Sequence, residues 1–550
     1  MPPVINVNAE LQNLILRSEY LKGKDGNKLS YYQDVANFCL PRKAWITTIN
    51  IDNQQLNQAY LFDSRATLAL KESACGFHSK LTSSVNKWFD FRTIDPKKMQ
   101  GGNVQRFFAT CSDIQYDVLN SSNWNETILE AYTDDLAFAC APIATEEDWK
   151  DHVRYTSVPV QQVSFERDER GEIVGLFRRF KYTTLQVMSR WPEKVPSDVM
   201  DAYKDEKYYQ LFDIEHYTGP RDVRDVSKRD KSNMAFKSIW YYPKQAFEFD
   251  RGGFNSNIYS VLEFWRNAGD DMAYSPAMDV LSSIKLANAQ KRTILRRAMK
   301  DSDGANAMPA RFWLGRFSQN PNAMNYYDKT KYSKEDFFNI PTGGDPKLGV
   351  DMMQMEQELI DRGFFLTLFK AMTSVSKDMN NPEANQRIME ALELIAPVVG
   401  RMCKQIGNTQ IRTFDILNSR GLFPAPPKEI IDESGNMDIG VLFLSPLAKA
   451  QRAAALGGLT TWLQIVNAVR GIVPDAGDNV DGDNIVTGSA DFLNVNPMFV
   501  KEKRKVEEIR RKTAQAKQEQ AKLQMAEQAA GAGKDAAQAH KTQKEALAVK

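Results

Sequence analysis

The sequence predicts an α+β fold that is predominantly α-helical. Apolar residues recur at helical spacing in the first ~150 residues and again after residue 278, whereas residues 153–265 form short aromatic and β-branched runs. The chain has 550 residues, which is too many for one hydrophobic core, and its 42% apolar content is typical of globular packing. We therefore expect several domains, with a β-rich layer between two helical regions.

The N-terminal third is predicted to be mostly helical. Amphipathic helices are expected at about residues 9–22 and from Tyr31 to Leu40, and a further helical stretch is expected over residues 102–140. A strong helix begins in LFDSRATLALKESACGFHSKL, where Asp63 or Ser64 could cap its first turn. Its core-facing residues are Leu70, Ala74, Phe77 and Leu81.

The β-rich layer contains one clear hairpin. VPVQQVSFE and EIVGLFRRFKY flank the polar turn Arg167–Gly171, and this arrangement predicts two antiparallel strands. The runs YQLFDIEHYT, FKSIWYY and NIYSVLEFW continue as further strands, separated by Asp, Pro and Gly.

The most informative run covers residues 278–406, where a helix, a turn-rich insert and two more helices follow in order. In the first helix, MDVLSSIKLANAQKRTILRRAMK, one apolar sector is predicted from Leu281, Ile284, Leu295 and Ala298. A neighbouring sector carries a basic stripe of Lys285, Arg292, Arg296 and Lys300. Such a stripe is typical of a solvated helix face, and it would also suit a surface that faces DNA or another subunit.

The C-terminal part is predicted from weaker patterns. The third helix, ANQRIMEALELIAPVVGRMCKQI, has an apolar face for core packing, and Pro397 should bend or interrupt it. A short β-like pair is expected from KEIID and MDIGVLFLS, then a helix from Leu447 to Val469. Residues 499–528 are strong helix formers, and the Ala-rich residues after them are expected to be mobile.

The charge distribution is uneven although the net charge is +1. Residues 501–550 hold 13 Lys and Arg against 7 Asp and Glu, which leaves 58 against 63 for residues 1–500. The body is therefore mildly acidic and the tail is basic. A tight DNA binder normally presents a basic face with many phosphate contacts, so this composition argues against that class.

Several reaction chemistries lack their sequence signatures. We find no GxxxxGK[ST] phosphate loop, no GxSxG elbow and no paired histidines at metal-binding spacing, so neither a cofactor nor a metal site is predicted. The acidic loop at residues 475–484 lacks the ligand pattern of an EF-hand. The five scattered cysteines are expected to be buried thiols of a reducing compartment, and no signal peptide or membrane span is expected.

Two clusters of carboxylates are the remaining candidates for a catalytic or metal-binding site. Asp270–Asp271 and Glu146–Asp148 are predicted to be turn or cap residues because neither has a partnered base. The alternative is a metal-dependent nucleic-acid hydrolase that would use Asp270 and Asp271. A helical scaffold or capsid accessory protein organised by the tail is the other alternative.

Several stretches resemble the head-to-tail connector family, the portal proteins of short-tailed bacteriophages, over about residues 10–510. The resemblance is carried by the order of these blocks: LFDSRATLALKESACGFHSKLT with KWFDFR, LNSSNW with LAFACAPIATEED, RGEIVGLFRRFKYTTLQV, DDMAYSPAMDVLSSIKLANAQKRTILRRA, NPEANQRIMEALELIAPVVGRM with ILNSRGLFPAPP, and LSPLAKAQRAAAL. The chain departs from the family pattern at Asn381–Glu383, where a Thr-Ala pair would be expected before the glutamate.

The resemblance implies a portal architecture. In that architecture the wing is residues 1–277, the stem helices are 278–300 and 350–371, and the clip is 301–349 between them. The tunnel loop and channel helix are residues 372–407, the crown is 408–499, and residues 500–550 form a C-terminal helical barrel and mobile tail.

The resemblance also implies a function without catalysis. Subunits would form a ring, roughly twelvefold, at one capsid vertex of the virion. A separate terminase packages double-stranded DNA through it, and the DNA is later ejected into the tail. Implied partners are the terminase large subunit, a tail adaptor, the major capsid and scaffolding proteins and internal core proteins, and the subunit would be made in the host cytoplasm. The candidate residues that face the DNA channel are Lys285, Arg292, Arg296, Lys300, Lys370, Lys377 and Arg387.

Overall fold

The computed structural model describes most of the chain up to residue 431 and short segments beyond it. The described residues are 7–47, 61–95, 102–225, 230–267, 269–302, 306–307, 309, 326–339, 346–373, 381–431, 437, 439–444, 462–468, 480–482, 485–486, 506 and 508–518. The structure is mixed, with 56% helix and 20% strand, so the predicted α+β class with predominant helix is confirmed.

Eleven helices and twelve strands are named along the described part of the chain. The helices are α1 (Val7–Cys39), α2 (Arg65–Leu81), α3 (Gly102–Ser121), α4 (Trp124–Phe138), α5 (Thr184–Arg190), α6 (Ser197–Lys204), α7 (Pro276–Asp279), α8 (Leu281–Ser302), α9 (Pro346–Gly363), α10 (Leu366–Thr373) and α11 (Asn381–Ser419). The strands are β1 (Phe89–Arg92), β2 (Ala141–Asp148), β3 (His152–Ser157), β4 (Val163–Arg167), β5 (Ile173–Thr183), β6 (Leu211–Pro220), β7 (Phe236–Tyr242), β8 (Phe247–Phe254), β9 (Tyr259–Leu262), β10 (Asn306–Ala307), β11 (Phe338–Asn339) and β12 (Gly440–Phe443).

The chain divides into two compact units. The first comprises Met1–Ile94, Ala109–Ala425 and Ile439–Gln451, and it holds both of the larger sheets and the helical run. The second comprises Asp95–Phe108, Pro426–Asp438 and Arg452–Lys550. In the second unit, residues 462–468 and 508–518 are helical, which agrees with the helices predicted there as far as they are described.

The first helix is longer than the sequence predicts. The two expected helices form one helix, α1, which continues through Gly23 and Gly26. Tertiary contacts compensate for the low helix propensity of these glycines. The Asp25 carboxylate accepts a 2.6 Å hydrogen bond from Ser164, and the Lys28 ammonium lies 5.4 Å from the centroid of the Phe165 ring, so β4 supports the middle of α1.

The next helices follow the prediction with two changes. The predicted core residues of α2 are all buried, but the carboxylate of Asp63 does not cap the helix. It accepts hydrogen bonds of 3.3 Å from Gln357 instead, and Ser64 makes no side-chain cap. The helical stretch expected over residues 102–140 is two helices, α3 and α4.

The β-rich layer consists of two antiparallel sheets. The five-stranded sheet has the order β4-β5-β6-β7-β8, and the three-stranded sheet has the order β3-β2-β9. The predicted hairpin is confirmed, since β4 pairs with β5 across a turn in which Gly171 has a φ of +78°. One face of the larger sheet packs on α1 through Leu11, Leu14, Phe177, Tyr217, Ile239 and Tyr241. The other face packs on α5 and α6 around Val187, Val199, Phe212, Trp240 and Phe249.

A small sheet joins distant parts of the chain and corrects one prediction. The sequence predicts that the segment MDIGVLFLS pairs with KEIID. The strand β12, which lies within that segment, instead pairs antiparallel with β1, with Phe89 opposite Phe443. Only an isolated bridge between Ile431 and Met437 remains of the expected pair among the described residues. The hydroxyl of Tyr116, on α3, accepts hydrogen bonds from the amides of Trp88 (2.5 Å) and Phe89 (2.6 Å) and so fixes the other edge of β1.

Candidate channel site

The helices α8 and α9 pack side by side and run antiparallel. Ile294 on α8 lies 3.5 Å from where a Cβ of Gly349 would be, and Val280, just before α8, lies against Gly363 at the other end of α9. Leu281, Ile284 and Ala287 are buried on this face of α8. The absence of a side chain at Gly363 lets the helices approach closely at that end, since a Cβ there would lie 2.3 Å from the Val280 side chain, whereas a Cβ at Gly349 would make an ordinary contact.

The apolar sector predicted for α8 is only half right. Leu281 and Ile284 are buried, but Leu295 is 41% exposed and Ala298 is also exposed. In the C-terminal half of α8 the face that meets α9 is centred on Ile294 instead. The exposed apolar side chains therefore belong to an outer surface of the subunit.

The insert between α8 and α9 is closed at its base. Asn306 pairs with Asn339 and Ala307 with Phe338 in an antiparallel arrangement, so β10 and β11 bring the two ends of the insert together. The second predicted helix of the run is not continuous. It ends at Gly363 and resumes at Leu366 as α10, and Phe365 at the break has a φ of +60°.

The basic stripe of α8 lies on the surface, and two of its four side chains already have partners. Lys285 forms an ion pair with Asp34 of α1, and its ammonium lies 5.7 Å from the centroid of the Phe38 ring. The guanidinium of Arg292 lies 5.5 Å from the centroid of the Phe62 ring.

Arg296 and Lys300 continue this stripe toward the end of α8. Both are exposed, and neither forms an ion pair within the part of the chain that the structure describes. No local sequence signal points to Asp34 or Phe62 as partners of the stripe, because both lie more than 200 residues earlier.

The other three candidates follow one another in the sequence from α10 into α11. The Lys370 ammonium lies 3.7 Å from a carboxylate oxygen of Asp361, which also accepts a bidentate interaction from Arg65 of α2. Lys377 lies outside the described residues, and Arg387 lies in α11 although its side chain is not described. Among the five candidates whose side chains are described, Lys370 thus pairs with Asp361, whereas Lys285 pairs with Asp34.

The helix α11 is continuous through Pro397, so the chain is not split there. Its middle is attached to the three-stranded sheet and its neighbourhood. The backbone oxygen of Gln405 accepts a 2.6 Å hydrogen bond from Ser260, its side-chain oxygen accepts one of 3.0 Å from the Glu263 amide, and Thr413 lies 2.8 Å from the Tyr155 hydroxyl. This attachment gives the segment after residue 380 a rigid support.

The carboxylate clusters do not form a metal site. Glu146 and Glu147 lie in β2 opposite β3, so the prediction of a turn or cap is wrong for them, whereas Asp148 ends β2 and its carboxylate accepts a 2.8 Å hydrogen bond from the Lys150 amide at the following turn. Asp270 lies in a turn with Asn267, and Asp271 forms an ion pair with Lys24. Among the described residues no group of three or more His, Cys, Asp or Glu is placed to hold a metal ion.

The cysteines and histidines occupy structural positions in the described chain. All five cysteines are free, and Cys75 is exposed, which corrects the prediction of buried thiols at that residue. Burial lowers the pKa of His216 to about 3, so the ring is neutral between the Tyr259 hydroxyl (3.1 Å) and the Ser238 hydroxyl (2.9 Å). None of the described helices is long and apolar enough to cross a membrane.

The buried carboxyl group of Asp135 forms no ion pair in the part of the chain that the structure describes. Asp135, on α4, is fully buried, and no side chain donates a hydrogen bond to it among the described residues. Burial raises its pKa well above the ordinary value, and the neighbouring carboxyls of Glu263 and Asp134 raise it further. Asp135 therefore favours its neutral form in the protein interior.

Comparison with known proteins identifies the family. The sequence matches the model of the bacteriophage head to tail connecting protein over residues 11–500. The chain belongs to this family. This head-to-tail connecting protein is 24% identical over 527 residues to the probable portal protein of Bordetella phage BPP-1, with 92% of each chain covered. It is 23% identical over 550 residues to the portal protein of Salmonella phage epsilon15, with 97% of this chain and 95% of that protein covered.

Two solved structures show weak likeness to this head-to-tail connecting protein. A chain in the neck of an empty gene transfer agent particle gives a TM-score of 0.33 at 11% identity, with 72% of this chain and 86% of that chain covered. A chain in the virion of the native gene transfer agent gives 0.34 at 10% identity, with 78% and 91% covered. The family assignment rests on the sequence match.

The family assignment confirms the resemblance seen in the sequence. Head-to-tail connecting proteins are a structural class, and the function of this member is that of a viral portal protein. Its location is the capsid vertex of the virion.

Proposed function

We propose that copies of this chain close into a ring, roughly twelvefold, that serves as a conduit for double-stranded DNA. In this proposal a separate terminase drives the DNA into the capsid through the ring, and the DNA later leaves through it into the tail. The observation that carries the proposal is the match of residues 11–500 to the head-to-tail connecting family, which includes the whole run from α8 to α11.

The structure supports a stem and a clip at the expected places. The antiparallel α8 and α9 fit two stem helices, and the insert between them, closed at its base by β10 and β11, fits a clip. We assign residues 1–277 to the wing, 372–407 to the tunnel loop and channel helix, 408–499 to the crown and 500–550 to the C-terminal barrel and tail. Since α11 runs from Asn381 to Ser419, one helix would join the channel to the crown.

The net negative charge of residues 1–500 favours a channel through which DNA slides over a site that binds DNA tightly. Residues 1–500 carry 58 basic and 63 acidic side chains, so twelve copies would present a net charge of roughly −60 to the phosphates. Few strong phosphate contacts allow DNA to slide with little friction. We propose that Lys370, Lys377 and Arg387, around the junction of α10 and α11, supply the limited number of basic groups that face the channel.

The proposed partners follow from the two ends of such a ring. The clip would bind a tail adaptor and the terminase large subunit in turn, and the wing would contact the major capsid and scaffolding proteins. The crown would face the packaged genome and any internal core proteins.

Electron microscopy of the purified full-length chain in negative stain tests this function. Rings with a central opening wide enough for duplex DNA are expected. A protein that stays monomeric under all assembly conditions would refute the ring. A variant without residues 500–550 should still form rings, because the wing and stem make the contacts, whereas a scaffold organised by the tail would lose its assembly.

A further inference from the structure

We propose that the free edge of β5 and the pocket beside it bind an extended, acidic segment of a partner protein. The segment would add to the five-stranded sheet as a further strand and place a carboxylate in the pocket. This inference concerns a surface of residues 163–211 and does not depend on the proposed ring.

The second half of β5 has a neighbouring strand on one side only. The first residue of β4, Val163, lies opposite Arg178, whereas β6 continues to pair with β5 as far as Thr183. Residues 179–183 therefore have no strand beside them on the β4 side within the described chain, although the 3-10 turn Val160–Gln162 lies near their start. A strand edge of this kind offers its backbone groups to another chain.

The hydrogen bonds at the end of β5 show which backbone groups face the open side. The Thr184 amide donates a 3.0 Å hydrogen bond to the Gln210 carbonyl, on the β6 side. Peptide groups alternate between the two sides of a strand, so those of Thr183 and Lys181 face the open side. In agreement, the Thr183 amide donates a 2.9 Å hydrogen bond to the Gln186 side chain. The amide and carbonyl of the exposed Lys181 are then available to an added strand.

A pocket of about 370 Å³ lies beside this edge, between the end of β5 and α5. Because the Gln186 side chain both lines the pocket and bonds to the Thr183 amide, the pocket adjoins the open side of β5. Side chains of an added strand alternate between the two faces of the sheet, so every second one points to the face that carries α5. The pocket is lined by Tyr182, Leu185, Gln186, Ser189 and Arg190.

Arg190 gives the pocket a positive charge. Its guanidinium donates a 3.0 Å hydrogen bond to the Tyr182 hydroxyl and lies 4.1 Å from the centroid of the Trp240 ring, which fixes its position. Arg190 is exposed and forms no ion pair in the part of the chain that the structure describes. A guanidinium has five N–H donors, so a carboxylate can accept two hydrogen bonds from the donors that Tyr182 does not use.

Exposed apolar side chains border the pocket. Leu185 is 42% exposed, and its amide donates a hydrogen bond of 3.3 Å to the Tyr208 carbonyl. The ring of Tyr208 lies 5.6 Å from that of Tyr203, and Leu211, opposite Thr183, is 44% exposed. Large apolar side chains gathered at the surface are typical of a site where another protein binds. We therefore expect apolar side chains on both sides of the acidic residue in the segment.

Selection from a library of random peptides of about twelve residues on the full-length chain tests the inference. Peptides that bind should share one acidic residue flanked by apolar or β-branched residues. Their affinity, measured by fluorescence anisotropy, should fall about tenfold or more in Lys181→Pro, because proline removes the outward N–H and leaves the bonds to β6 in place. A loss of about tenfold is also expected in Arg190→Gln, and in peptides whose acidic residue is replaced by its amide.

Lys181→Thr is the matched control for the proline variant, since it keeps the backbone N–H and should bind the peptides within about twofold. The amide-substituted peptides leave the protein unchanged, so a loss of their affinity cannot come from misfolding. A library that yields no binding peptide, peptides that bind Lys181→Pro as well as the unmodified chain, or peptides that do not need their acidic residue would each overturn the inference. Ring formation is measured separately and is not expected to change in any of these variants.

Discussion

Replacing Tyr116 by Phe removes one oxygen atom that holds β1 in place. The hydroxyl accepts hydrogen bonds from the amides of Trp88 and Phe89, and it donates one of 3.1 Å to the Phe89 carbonyl. Tyr116 is buried, and its burial raises the pKa of the hydroxyl, so the group is neutral at physiological pH. Phe keeps the ring, which stacks on Phe89 at 4.5 Å between centroids.

The expected cost is large because two buried N–H groups lose their acceptor together. Each such group costs about 1 to 3 kcal/mol, so local opening of β1 should become easier by about 2 to 5 kcal/mol after partial relaxation. One factor of ten in an opening equilibrium corresponds to about 1.4 kcal/mol. The amides of β1 and of its partner β12 should therefore exchange their hydrogens more than tenfold faster.

Hydrogen–deuterium exchange read by mass spectrometry measures this change directly. The peptides that contain residues 84–92 and 440–444 should gain deuterium faster in the Tyr116→Phe variant, while peptides from α5 and α6 should not change. Tyr209→Phe is the matched control, because Tyr209 is 82% exposed. Unchanged exchange in β1 would show that the hydroxyl does not hold the strand and would refute the reasoning.

Three further perturbations test the helical domain. Gly363→Ala places a Cβ against the Val280 side chain and should lower the free energy of unfolding by about 1 to 3 kcal/mol, measured as a lower melting temperature. Adding Val280→Ala should recover part of this stability. A double variant that recovers none of it would contradict the close approach. Asp135→Asn should flatten the pH dependence of stability. Because the pKa of Asp135 is raised in the folded chain, its free energy of unfolding falls by about 1.4 kcal/mol per pH unit between about pH 4 and the folded pKa. Urea titrations at about pH 5 to 7 should therefore show the stability of the variant rising relative to that of the unmodified chain as the pH increases. Arg65→Ala leaves the half-buried Asp361 with a longer contact to Lys370 and should cost about 1 to 2 kcal/mol, with Lys71→Ala on the exposed side of α2 as a neutral comparison.

Local sequence patterns predicted the helices and strands that are determined by residues close together in the chain. The hairpin at Arg167–Gly171 follows from a polar turn between two β-rich runs, and α2 follows from apolar residues at helical spacing. The same local reasoning failed for α1, where apolar spacing predicts two separate helices and the chain forms one. Contacts of Asp25 and Lys28 with a strand about 140 residues away keep the helix intact, and spacing alone does not reveal such contacts.

Pairings between distant segments could not be predicted from the sequence. The strand β12 bonds to β1, more than 340 residues earlier, instead of to the nearer KEIID segment. For the channel candidates, the sequence identified the basic stripe of α8 but not its neighbours Asp34 and Phe62. Helical periodicity identifies which residues share a face, whereas what covers that face depends on the fold of the rest of the chain.

The two short strands at the base of the insert have a practical consequence for design. Because β10 and β11 join Asn306 to Asn339 and Ala307 to Phe338, the ends of the insert are held together next to α8 and α9. Adding residues to a loop whose ends are already joined costs little, since closure entropy grows only with the logarithm of its length. On the proposed function, grafting the corresponding segment of a relative between residues 307 and 338 should change which partner the insert binds while leaving the register of the two long helices intact.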